Sequence, residues 1–305
     1  MTRTIKLTLQ AFGLLFLGVL LTLGSAYSQS QSLTGQQILE KIDERGGLGG
    51  VGSQISFSIF EVLDKTGAIQ RKNFIFFSKN SSDVQIPNRV LIYFLEPPSE
   101  TCGTIFLSVD RKAVGQKADL YLYLPALGQT KQLISTGERK GSFADSNVQF
   151  DQIGRSEFHS DFNAELIGEE TLSVTVNGRE QDRKTFLLHL TANPDTSRDE
   201  SFPDRKVWVD EEEFMTLKSE DTNTVGKLQN MTTLDDLITF KERLEPSIIK
   251  VVNLLDNSST TVTITDREDI GDLPDGIFDP NSLAQFDPKQ FNTQLQVKVP
   301  NPTCP

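Results

Sequence analysis

Apolar residues along this chain fall into two rhythms. The first is helical: Ile38, Leu39 and Ile42 share one face, Thr34 and Gln37 match a capping box, and Gly46-Gly47 supplies a stop. From residue 55 the period drops to two. Ile55, Phe57 and Ile59 alternate with polar neighbours, as do Leu120, Leu122 and Leu124. Val174/Val176, Phe186/Leu188/Leu190, Val262/Ile264 and Leu295/Val297/Val299 repeat the pattern, which marks strands with two distinct faces. Turn signals separate them: Asp64-Lys65-Thr66-Gly67, Pro97-Pro98, Asn193-Pro194-Asp195, and Asn177-Gly178, the last a hairpin signature. One helix and about ten strands with short connections predict an α+β, mainly β chain built on one antiparallel sheet.

Two runs break the alternation because they are apolar at successive positions: Phe74-Ile75-Phe76-Phe77 and Val90 through Leu95. Such strands are either covered on both faces or line an apolar cavity. Two stretches have no clear period. Residues 125–153 are rich in Gly, Ser, Gln and Asp and read as a long ordered loop. Residues 266–292 are acidic, hold Pro274, Pro280 and Pro288, and still carry Ile277, Phe278, Leu283, Phe286 and Phe291, enough to dock on another surface.

The beginning of the chain bears on location. Arg3 and Lys6 precede an apolar stretch from Ala11 to Leu23 and the small residues Gly24-Ser25-Ala26, the layout of a secretory signal peptide. The alternative is an uncleaved anchor, but a membrane span needs about 20 apolar residues. Cleavage after Ala26 is expected, leaving a soluble exported domain over 27–292 and a C-terminal strand and tail over 293–305. The net charge of −12 argues against nucleic acid and against anionic lipid surfaces, which it would repel. The only cysteines are Cys102 and Cys304, a candidate disulfide in an exported protein; two unrelated thiols are the alternative.

The sequence offers no catalytic constellation. His159 and His189 lack ligand spacing, so no metal site and no cofactor is expected. Asp210-Glu211-Glu212-Glu213 lies between two strand patterns and reads as a charged hairpin turn rather than a carboxylate cluster. No nucleophile motif is present, and a non-enzymatic protein is expected.

Three ordered segments carry a family resemblance. They are Tyr93-Phe94-Leu95-Glu96-Pro97-Pro98 leading to Cys102-Gly103-Thr104-Ile105-Phe106-Leu107, then Leu120 through Gly128, then Gly141 through Ile153. Val207-Trp208-Val209-Asp210 and Leu273-Pro274-Asp275-Gly276-Ile277-Phe278 follow in order. This set resembles the exported outer-membrane lipoprotein-sorting proteins, a LolA-like branch. The resemblance implies an incompletely closed antiparallel barrel (LolA/LolB-like) wrapped around one or a few helices. It also implies a periplasmic carrier that holds lipid or lipoprotein acyl chains and passes them between envelope partners, such as an inner-membrane transporter and an outer-membrane acceptor. On this reading the cavity is lined by Phe74, Phe76, Leu91, Tyr93, Phe106, Leu120, Leu122 and Leu124. Phe143 and Phe150 would dock the 125–153 loop near the cavity mouth, as a gate or as a static plug. The competing expectation is an adaptor or accessory protein of a membrane transporter whose barrel core is filled.

Overall fold

The computed structural model describes residues 33–46, 51–81, 83, 86–96, 101–111, 116–155, 158–196 and 199–300. The leader expected over residues 1–26 and Cys304 lie outside them. Helix α1 spans Gly35–Glu44, and its capping box is formed: Thr34 Oγ1 accepts from the Gln37 N–H at 3.2 Å, and Gln37 Oε1 accepts from the Thr34 N–H at 2.9 Å. Ile38 and Leu39 are buried.

Thirteen strands form one sheet among the described residues: β1 (Gly52–Leu63), β2 (Ile69–Asn80), β3 (Asn88–Glu96), β4 (Ile105–Asp110), β5 (Asp119–Leu124), β6 (Gln129–Gln132), β7 (Phe162–Val176), β8 (Arg179–Ala192), β9 (Asp204–Asp210), β10 (Thr216–Thr222), β11 (Leu228–Phe240), β12 (Arg243–Asn253) and β13 (Ser259–Gly271). Their order is β10-β9-β8-β7-β11-β12-β13-β1-β2-β3-β4-β5-β6, and β10 also pairs with β11. Strands β7 to β11 therefore make a ring of five that is not closed as a barrel. Neighbouring pairs are antiparallel except β7 and β11, which run parallel where Asp236 and Leu237 meet Thr175 and Val176. At the β7–β8 turn Asn177 and Gly178 take φ of 51° and 73°, as a type I′ hairpin requires.

The continuously apolar strands are covered on both faces. Ile75, Phe77, Leu91, Tyr93 and Leu95 pack under Leu273, Ile277, Phe278, Leu283, Phe291, Leu295 and Val299. On the opposite face Phe74, Val90, Ile92, Phe94, Phe106 and Leu120 pack under Leu133 and Phe143 from the long loop. That loop contains a short helix α2 (Thr136–Arg139).

Two expectations are corrected here. Residues 266–271 belong to β13 rather than to a flap, and the flap proper is three 3₁₀ turns, Asp275–Phe278, Leu283–Gln285 and Pro288–Phe291. The alternating Leu295/Val297/Val299 is not a strand. Leu295 and Val299 are buried, but the backbone bonds side chains instead of a ladder: the Val297 N–H donates to Glu268 at 2.7 Å and the Val299 N–H to Asn292 Oδ1 at 2.7 Å.

Candidate functional site

Between α1, the inner face of β9 to β12 and the loop 136–155 lies a cavity of about 350 Å³. Helix α1 sets one wall because its buried stripe packs on β7 to β9 with Phe162, Leu188, Leu190, Val207 and Val209. Its approach to β7 is close. The Ala164 N–H donates to Gln36 Oε1 at 3.2 Å, and Gln36 Nε2 donates to the His159 carbonyl at 2.6 Å.

The cavity wall changes character along its length, and the strand register shows how. On the first rung Arg205 stands opposite Asp221, and Asp221 opposite Asn230. On the second, Val207, Ser219, Thr232 and Val251 are successive partners on β9, β10, β11 and β12. On the third, Leu234 faces Ile249. All nine line the cavity, and Leu39, Ile42, Phe214 and Met215 complete its apolar end. Period-two alternation keeps every second residue of a strand on one face, so a polar-to-apolar series at alternate positions becomes a polar-to-apolar wall.

The polar end is dense in charge, and three of its cations are held by carboxylates. Arg205 Nε donates to Asp221 at 2.8 Å. Arg155 donates to Asp161 at 2.7 Å and to both Glu200 oxygens at 2.9 Å, and its guanidinium stacks 4.7 Å from the Phe158 ring centroid. Burial works against the Arg155 charge, but Glu200 and Asp161 outweigh it and hold that guanidinium above its usual pKa. Lys140 pairs with Asp199 at 3.1 Å. Asp151, also on the wall, is pushed above the usual carboxylate range by burial and by Glu200. The wall also includes Arg45 at the end of α1; burial lowers its pKa from the ordinary value despite its pairing with Glu245.

None of the eight residues expected to line a cavity borders this one. Phe74, Phe106 and Leu120 are fully buried in the phenylalanine core with Phe76 and Leu122 beside them, Leu91 and Tyr93 lie in the opposite core, and Leu124 is half-buried at the end of β5. The physical reason is that both faces of β2 to β5 are already covered by chain. Phe143 likewise turns into the core, with its ring centroid 5.4–5.8 Å from those of Phe60, Phe74, Phe94, Phe106 and Phe150. The loop nevertheless reaches the cavity, through its polar members Thr136, Arg139, Asn147 and Gln152.

The two histidines each meet a carboxylate: His159 Nδ1 lies 2.7 Å from Asp43 and His189 Nε2 2.8 Å from Asp204. Asp210 is buried under Arg183, and its Oδ1 accepts from the Glu212 and Glu213 N–H groups at 3.0 and 2.8 Å, which makes the acidic run a hairpin turn. Among the described residues no His, Cys, Asp and Glu cluster could hold a metal ion. Cys102 is buried and disulfide-bonded.

A family model described as "Uncharacterized protein" matches residues 87–285. No curated protein matches the chain. Three solved structures share the fold. A domain from Vibrio parahaemolyticus, described as belonging to an outer membrane lipoprotein-sorting protein, is 20% identical with a TM-score of 0.70, over 82% of this chain and 98% of its own. A DUF1329 family protein from Desulfovibrio piger is 17% identical with a TM-score of 0.71, over 82% and 97%. A LolA superfamily protein from Nitrosomonas europaea is 20% identical with a TM-score of 0.59, over 81% and 98%. The likeness is one of fold: a LolA-like sheet curved about a helix.

Proposed function

We propose that this chain, which belongs to the family whose model matches residues 87–285, is a periplasmic carrier that binds an acyl chain of a lipid or lipoprotein and passes it between envelope partners. The observation that carries this reading is the cavity: about 350 Å³, inside the range of ligand sites, with an apolar end built by Leu39, Ile42, Phe214, Met215, Leu234 and Ile249. Its size fits one chain. A methylene occupies about the volume of a water molecule, ~30 Å³, so roughly a dozen fit. At about 0.8 kcal/mol each, burial contributes on the order of 10 kcal/mol before the ~4–15 kcal/mol cost of association. Such a balance holds a chain reversibly, which is what a carrier that must release its cargo needs. No described helix is long and apolar enough to cross a membrane. The exported location rests on the leader pattern of residues 1–26.

Native mass spectrometry of protein purified from its bacterial envelope, with displacement of a fluorescent fatty acid, tests the proposal. Bound acyl species and saturable displacement are expected, and Ile249→Trp, which fills the apolar end, should weaken displacement at least tenfold without loss of fold. Ligand-free spectra together with no displacement would sink the carrier reading and favour an adaptor that uses its surface.

A further inference from the structure

The apolar end of the cavity accounts for a hydrocarbon chain; the polar end is built for something else. Three of its cations are already matched: Arg205 on Asp221, Arg155 on Asp161 and Glu200, Lys140 on Asp199. Two buried groups on the cavity that lack a partner are neutral. Asn230 is 5% exposed, lies on the first rung of the wall, and its Oδ1 has no hydrogen-bond partner among the described residues. The Ser201 hydroxyl, on the same cavity, is also unpartnered among them. A buried polar group without a hydrogen bond is costly, so native proteins keep one mainly where something else will complete it.

We propose that the cavity takes a single-chain amphiphile with an uncharged, hydroxyl-bearing head, its chain lying toward α1 and its head hydrogen-bonded to the Asn230 amide and the Ser201 hydroxyl. This rests on the carrier reading and narrows it to a class of cargo. The head must donate a hydrogen bond to an amide oxygen. A carboxylate or phosphate offers no such donor, and Arg155, Arg205 and Lys140 are already held by carboxylates. A cationic head could donate but would enter a wall whose six basic residues (Arg45, Lys117, Arg139, Lys140, Arg155, Arg205) outnumber its four acidic ones (Asp151, Asp199, Glu200, Asp221). A hydroxyl both donates and accepts, so it satisfies the amide in either orientation.

Three decanoyl compounds separate the outcomes: monodecanoyl glycerol, methyl decanoate and decanoate, each titrated against the fluorescent probe on the full chain. The glycerol ester is expected to bind about tenfold tighter than the other two, the value of one well-made buried hydrogen bond. Asn230→Leu should bring the glycerol ester down to the level of the methyl ester and leave the methyl ester unchanged. Asn230→Ala, which adds no bulk, should do the same if the leucine variant does not fold. Decanoate binding tightest, equal affinities for all three, or an Asn230 variant that weakens all three alike would overturn the proposal while leaving the carrier reading intact. Binding of none of the three would instead count against the carrier reading.

Discussion

The ammonium of Lys72, buried in the middle of β2, lies 2.7 Å from the carboxylate of Asp145 and also donates to the Ala144 carbonyl at 2.7 Å. This pair fixes the long loop at its most strained point, since Ala144 and Asp145 take φ of 49° and 58°. Left-handed backbone at two successive residues with side chains persists only where the surroundings hold it.

Removing the tether should therefore loosen the loop. Asp145 is 82% exposed, so the ion pair itself contributes little. The loss that counts is the donor to Ala144. Lys72→Met is expected to cost about 1–3 kcal/mol in urea unfolding, with faster hydrogen exchange confined to residues 141–150. Unchanged exchange there would show that Phe143 alone anchors the loop.

Gly35 is required by space. A Cβ at that position would sit 2.5 Å from the Ala164 carbonyl oxygen, inside backbone that cannot step aside. Gly35→Ala should lower stability by about 1–3 kcal/mol through overpacking, although alanine is the better helix former by ~1 kcal/mol. Gly137 in α2 has nothing within 4 Å of its would-be Cβ. Gly137→Ala should be neutral or slightly stabilising. Thermal melts of the two variants make the comparison, and equal shifts would contradict it.

How much of this was readable in the residues depends on which force set each element. The α1 cap, the Asn177-Gly178 turn and the acidic hairpin at Asp210 are local, and local rules found them. The double coverage of β2 and β3 was half legible: uninterrupted apolar runs announce burial but do not distinguish a packed core from a cavity. Residues 266–271 hid because their backbone pairs with β1 while their side chains are mostly charged, with Arg267 bonded to Glu245 and Asp269 to Lys241, leaving no alternation to see. Leu295, Val297 and Val299 misled for the opposite reason, since their alternation serves docking rather than a ladder. The cavity wall left one usable trace, the graded series Asn230, Thr232, Leu234 on alternate positions of β11. Its meaning appears only when Arg205 and Asp221 arrive on the same rung from other strands.

The oxidation state of Cys102 gives a direct test of long-range closure. It is disulfide-bonded, and the chain has one other cysteine, Cys304, beyond the described residues. Non-reducing peptide mapping is expected to yield a Cys102–Cys304 cross-linked peptide. Reduction should then lower stability by about 2–4 kcal/mol, because the bond closes a long loop in the unfolded chain. A monomer with two alkylatable thiols before reduction would refute the pairing.

Asp151 makes the pH dependence specific. Burial raises its pKa above the ordinary 3.8, with Glu200 adding to the effect. The sign follows from linkage: a carboxyl with a raised folded-state pKa binds its proton more tightly when folded, so its penalty is full above that pKa. The penalty declines as pH falls through the raised value, and it is gone below 3.8. Asp151→Asn removes the charge without changing shape, so it should raise Tm at about pH 7 and lose that advantage as the pH approaches 4. Glu138 runs the other way. Its bonds to Lys131 and Ser135 hold it at about 2, so any stability it contributes is present above 4.5 and fades only as pH falls toward 2. The two differ in sign: as pH falls, what Glu138 contributes fades while the Asp151 penalty is relieved. Melting curves of wild type and Asp151→Asn from neutral pH down to about 4 should converge toward acid, and parallel curves would mean that Asp151 keeps its charge at no cost when buried.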